Sequence, residues 1–203
     1  MKRILRYIIA IIFIISGFVK AVDVKGFSFK LEEYFSPDVF NLPFFEKYTL
    51  EIAVFVVALE LILGLMLLMK VKLKTTLLSL IALCVFFAFL TFYSAYFNKV
   101  TDCGCFGDAI KFTPWQSFWK DMALLFGLIV LWILNKKSET LTNEKGCLKM
   151  PFLWLGIFAS AYIIYHGIAH EPLIDFRDYK IGTDLNVEKQ KIAANPSEFK
   201  TSY

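Results

Sequence analysis

Five apolar stretches, at about 4–22, 50–69, 75–97, 115–134 and 151–169, each reach the roughly 20 residues that a helix needs to cross the hydrocarbon core of a bilayer. This pattern constrains the fold more than any other feature of the chain. Lipid offers no water to bond a backbone N–H or C=O, so runs of this length must satisfy their polar groups internally as helices. The expected fold class is therefore all-α, a polytopic membrane protein. With 58% hydrophobic and only 20% charged residues in 203, a soluble domain could not hide the apolar surface. Met1-Lys2-Arg3 before the first run resembles a signal peptide, but no small-x-small cleavage site follows, and Gly17-Phe18-Val19-Lys20 reads as a helix end. The first run is expected to stay as a span.

Basic residues set the expected orientation. With the N-terminus inside, the inner face carries Lys2, Arg3, Arg6, Lys70, Lys72, Lys74, Lys136, Lys137, Lys145 and Lys149 against only Glu139 and Glu144. The outer loops are balanced: Lys20, Lys25, Lys30, Lys47, Lys99 and Lys111 face Asp23, Glu32, Glu33, Asp38, Glu46, Asp102 and Asp108. The positive net charge of +4 is thus mainly a topology signal, and no nucleic-acid-binding patch is expected. The bilayer is the expected partner.

This orientation places Asp102-Cys103-Gly104-Cys105-Phe106-Gly107-Asp108 outside, in an oxidising compartment where disulfides persist. Two thiols one residue apart close on each other only through a tight turn, which Gly104 permits. A bond closed under such constraint has the more oxidising potential that suits exchange. Cys103 and Cys105 are therefore a candidate redox pair, with a structural staple or a pair of metal ligands as the other readings. His166 and His170, the two histidines, lie four apart at the outer end of the fifth run. Ordinary interfacial hydrogen bonding is the expected role there, and no metal site is expected.

Charge inside the apolar runs supplies the other candidates. Glu60 falls near the middle of the second run, where an ionisable group is costly unless paired, hydrated or neutral. Lys120 and Asp121 lie within the fourth run, and Lys20 at the outer end of the first, where a snorkelling lysine is one reading. Adjacent helical residues point about 100° apart, so Lys120 and Asp121 are expected to find partners on other helices, and Lys120 is the expected partner of Glu60. Cys84 is read as packing and Cys147 as a free thiol on the inner side. The segment 23–49, rich in Phe and broken by Pro37 and Pro43, is expected to lie on the outer surface or cap the bundle mouth. Thr113-Pro114 should start the fourth helix.

The sequence resembles the DoxX-like membrane proteins, and within them the MauE type, through Ser16-Gly17-Phe18-Val19-Lys20, Leu59-Glu60-Leu61-Ile62-Leu63-Gly64, Asp102-Cys103-Gly104-Cys105-Phe106-Gly107 and Trp119-Lys120-Asp121. The resemblance covers about residues 1–135. It implies a four-helix transmembrane bundle, here joined by a fifth transmembrane helix, and a role in periplasmic thiol–disulfide chemistry at the cytoplasmic membrane of a bacterium. The implied partners are a thioredoxin-like or other periplasmic thiol protein, with quinone as a candidate acceptor and a membrane complex as a candidate setting. Three regions follow: 1–135 as the membrane domain, 136–170 as inner loop and fifth helix, and 171–203 as an outer tail. Residues 173–182 look like the linker of longer Bacteroidetes-type relatives that continue into a thioredoxin-like domain, so the chain is either a short form or a truncated one. Two function classes stand: a thiol–disulfide oxidoreductase or its subunit, and a non-enzymatic scaffold with a structural disulfide.

Overall fold

A computed structural model describes residues 2–37, 39–97, 113–136 and 149–170. Among these, the chain is all-helical: α1 (Lys2–Val22), α2 (Val24–Phe35), α3 (Pro43–Glu46), α4 (Thr49–Met69), α5 (Leu73–Phe97), α6 (Pro114–Lys136) and α7 (Lys149–Ala169). Five of them, Lys2–Val22, Thr49–Met69, Leu73–Phe97, Pro114–Asn135 and Met150–Ala169, are long and apolar enough to span a membrane. They match the five apolar runs to within two residues at each end. The protein is a polytopic membrane protein.

Helices α1, α4, α5 and α6 form a four-helix ring in which α1 packs on α4 and α6, and α5 on α4 and α6. The α1–α4 pair is antiparallel: Gly17 lies against Leu61, and Gly64 against Ile14. A Cβ at Gly17 would stand 2.9 Å from Leu61 Cγ, so the missing side chain allows the close approach. Helix α7 lies outside the ring, against α1 and α4.

Local signals explain the helix ends. Asp23 interrupts the chain after α1 and caps α2, its Oδ1 accepting from the Gly26 N–H at 2.9 Å. Ser36 ends α2 and Pro43 sits in the first turn of α3. Lys70 takes a left-handed conformation, φ 59°, closing α4 with bonds back to Leu67 and Met66. Thr113, the expected cap, and Gln116 exchange reciprocal bonds at the start of α6, a capping box.

The aromatic segment after α1 does cap the bundle. Phe27, Leu31 and Tyr34 of α2 are buried, and α2 packs on α4 and α7. Phe40 follows, 4.5 Å from the Tyr93 ring of α5. Two apolar clusters result. One joins α2 with the adjoining parts of α1, α4, α5 and α7; the other fills the ring between α1, α4, α5 and α6.

Candidate functional site

Charge collects where these two clusters meet. Lys20 is buried, not interfacial: its ammonium donates to Glu60 Oε2 at 2.7 Å and to Ser16 Oγ at 3.1 Å, with the Phe87 ring centroid at 4.5 Å and that of Phe27 at 5.6 Å. The side chains of Lys20 and Glu60 are 1% and 2% exposed. The reading of Lys20 as an outer, snorkelling lysine is corrected here. The chain does not end its helical course after Lys20; it turns at Asp23 and continues as α2, which packs against α4.

The expected Lys120–Glu60 pair is corrected with it. Glu60 pairs with Lys20, and Lys120 pairs with its own neighbour Asp121 at 3.1 Å. The geometric argument against neighbour pairing holds for Cβ directions. It fails for a lysine, whose four-carbon stem is flexible enough to bring the ammonium back beside the next residue. Lys120 is 23% exposed and Asp121 5%, so the second pair is less enclosed than the first.

Both pairs line one cavity of about 10 Å³, room for about one water molecule, with Ser16, Cys84 and Phe87 also in its wall. Asp121 is anchored on α5: Thr91 Oγ1 lies 3.4 Å from Asp121 Oδ2, and Cys84 donates from Sγ to the Asp121 carbonyl at 3.3 Å. The structure therefore brings together four of the expected site residues, Lys20, Glu60, Lys120 and Asp121. Cys103, Cys105 and Cys147 lie outside the described residues. Ser16, Thr91 and Phe87 were not singled out by sequence as partners of these charges. Ser16 had one legible signal, its spacing of four from Lys20 on one helix.

The expected packing role of Cys84 agrees with its burial at 2% and its place in the inner cluster. His166 and His170 stack with ring centroids 4.8 Å apart at the end of α7. Gly167 beside them faces the carbonyls of Ala21 and Val22, where a Cβ would approach to 3.0 and 2.9 Å. Among the described residues, no three His, Cys, Asp or Glu side chains converge as metal ligands would.

Chemically, two ammonium and two carboxylate groups balance each other in an otherwise apolar bundle. Such an arrangement can hold and relay protons, and a bridging water would find several polar partners.

Comparison with known proteins places the sequence in a family. The chain is 29% identical over 147 residues to protein TlpB of Flavobacterium psychrophilum, an alignment covering 70% of this chain and 38% of TlpB. This chain thus spans well under half the length of that relative. No solved structure matches it. Residues 1–134, which contain the four-helix ring but for the last two residues of α6 and include all four charged residues of the cavity, match the family described as methylamine utilisation protein MauE, and the chain belongs to that family.

Proposed function

We propose that the protein carries out thiol–disulfide exchange at the outer face of a bacterial cytoplasmic membrane, with the N-terminus inside and Cys103 and Cys105 as the reacting pair. The observation that carries this reading is the Cys103-Gly104-Cys105 sequence between α5 and α6, the two helices that hold Cys84, Lys120 and Asp121 at the charged cavity. Membership of the MauE family supports it. The affinity with the wider DoxX-like group belongs to the same proposal.

A thiolate of an outer, thioredoxin-like protein attacks the Cys103–Cys105 disulfide, forming a mixed disulfide and releasing the other cysteine as a thiol. The partner's second thiol then displaces the bound cysteine. The partner leaves oxidised, and the pair is left as a dithiol. Passing two electrons and two protons to a diffusible acceptor of the quinone class restores the disulfide. That acceptor reacts as a second substrate of the pair.

Two measurements test this. Titrated in glutathione buffers, the pair should show a reduction potential well above the roughly −300 mV of structural disulfides. Cys105→Ser leaves Cys103 as a lone thiol that can attack the oxidised partner in the reverse of the second step, with no second cysteine to resolve the product. It should therefore accumulate a mixed disulfide with an outer protein, while Cys103→Ser should not. If the potential falls in the structural range and neither variant traps a partner, the pair is a staple and the protein a membrane scaffold.

A further inference from the structure

Four charges in one bundle core are retained at a cost. A buried ion pair is often no more stabilising than apolar side chains of the same volume, and intramembrane ionisable groups mark ion or proton paths. Here they surround a cavity the size of one water. The bond from Lys20 engages only Oε2 of Glu60, so Oε1 is the atom left for the cavity that this residue lines.

We propose that this cavity is a hydrated proton-exchange site, with one water bridging Glu60 Oε1 and the Asp121 carboxylate. The groups facing it are Ser16 and Lys20 from α1, Glu60 from α4, Cys84 and Phe87 from α5, and Lys120 and Asp121 from α6. Lys120 is the most exposed of the four charged residues, so the Lys120–Asp121 pair is the entry. A proton taken up by Asp121 passes to the water as the water gives another of its protons to Glu60 Oε1. The net change is one proton moved from the entry pair to the enclosed pair. Lys20 takes no part in the transfer; its Nζ is bonded to Ser16 and faces the rings of Phe27 and Phe87. This proposal does not depend on the chemistry of Cys103 and Cys105.

Cys84 is a built-in reporter, because its thiol lines the same cavity. The experiment uses the full chain in lipid nanodiscs, with Cys103, Cys105 and Cys147 changed to Ser so that only Cys84 contributes an S–H stretch. On transfer to D2O, the infrared S–H band should convert to S–D on the timescale of mixing. As pH falls, protonated-carboxyl absorption that shifts in D2O should grow, and Glu60→Gln should remove one component of it, leaving the bands of the other carboxyl groups. An S–H band that persists for hours shows a dry cavity and overturns the proposal. So does carboxyl absorption that Glu60→Gln leaves unchanged. Should that variant fail to fold, S–H exchange in the protein with Glu60 intact decides the question alone. Because the redox cysteines are absent from this protein, its outcome is separate from that of the exchange chemistry.

Discussion

Lys20 and Glu60 are worth little as separate residues and much as a pair. Each sits in an environment that would heavily penalise a lone charge, and the 2.7 Å bond between them removes most of that penalty. Glu60→Gln should therefore destabilise the bundle by about 3–5 kcal/mol, the cost of leaving one buried partner uncompensated. Combining it with Lys20→Met should recover much of the loss, whereas combining it with Lys120→Met should not. A double-mutant cycle on unfolding in mixed micelles reads this directly. A large coupling of Glu60 with Lys120 instead would contradict the pairing. Glu60 itself was legible as a site residue, since a carboxylate in an apolar run stands out. Its partner was not, because Lys20 read as the outer end of a span and depth along a helix says nothing about which neighbour that face meets.

Between helices, the fit depends on what stands opposite a missing side chain. Gly156 faces the far end of a leucine, Leu65 Cδ1 at 2.7 Å, which can rotate away. Gly167 faces backbone, the carbonyl oxygens of Ala21 and Val22, which cannot move without shifting α1. Gly167→Ala should thus cost about 1–3 kcal/mol as an overpacked contact and loosen α7, while Gly156→Ala should cost less. Equilibrium unfolding of the two variants, with hydrogen exchange across α7, separates them. The cap of α2 offers a second test. Asp23→Ala removes the acceptor for Gly26 N–H and should cost about 1 kcal/mol. Faster amide exchange should then be confined to the first turn of α2. If exchange rises equally in α1, the break at Asp23 is not the independent helix start that the bond implies.

The proposed topology sets up the whole-molecule test. After mild reduction of intact cells, a membrane-impermeant thiol reagent should label Cys103 and Cys105 and leave Cys147 unmodified. Labelling of Cys147 alone would invert the orientation and remove the oxidising compartment on which the exchange chemistry depends. Hydropathy by itself determined the number and extent of the spanning helices, because the need to bond every backbone group within lipid leaves a run of twenty apolar residues little choice. Local chemistry likewise determined the start of α6, where Thr113 and Pro114 act within a single turn. Only the tertiary structure decided where Lys20 lies and whom it meets. Span limits read from hydropathy put it at a membrane surface, yet the chain resumes as α2 and buries it beneath Phe27. The same holds for Lys120, which turns back to Asp121 once α1 has supplied Glu60 with its cation. A helix's apolar length is written in its own residues and can be read from them alone. The partner of a buried charge depends on the register between two helices, here set by glycines at positions 17 and 64 meeting Leu61 and Ile14 across the interface. That register is a property of the pair, so it takes shape only when the two surfaces pack.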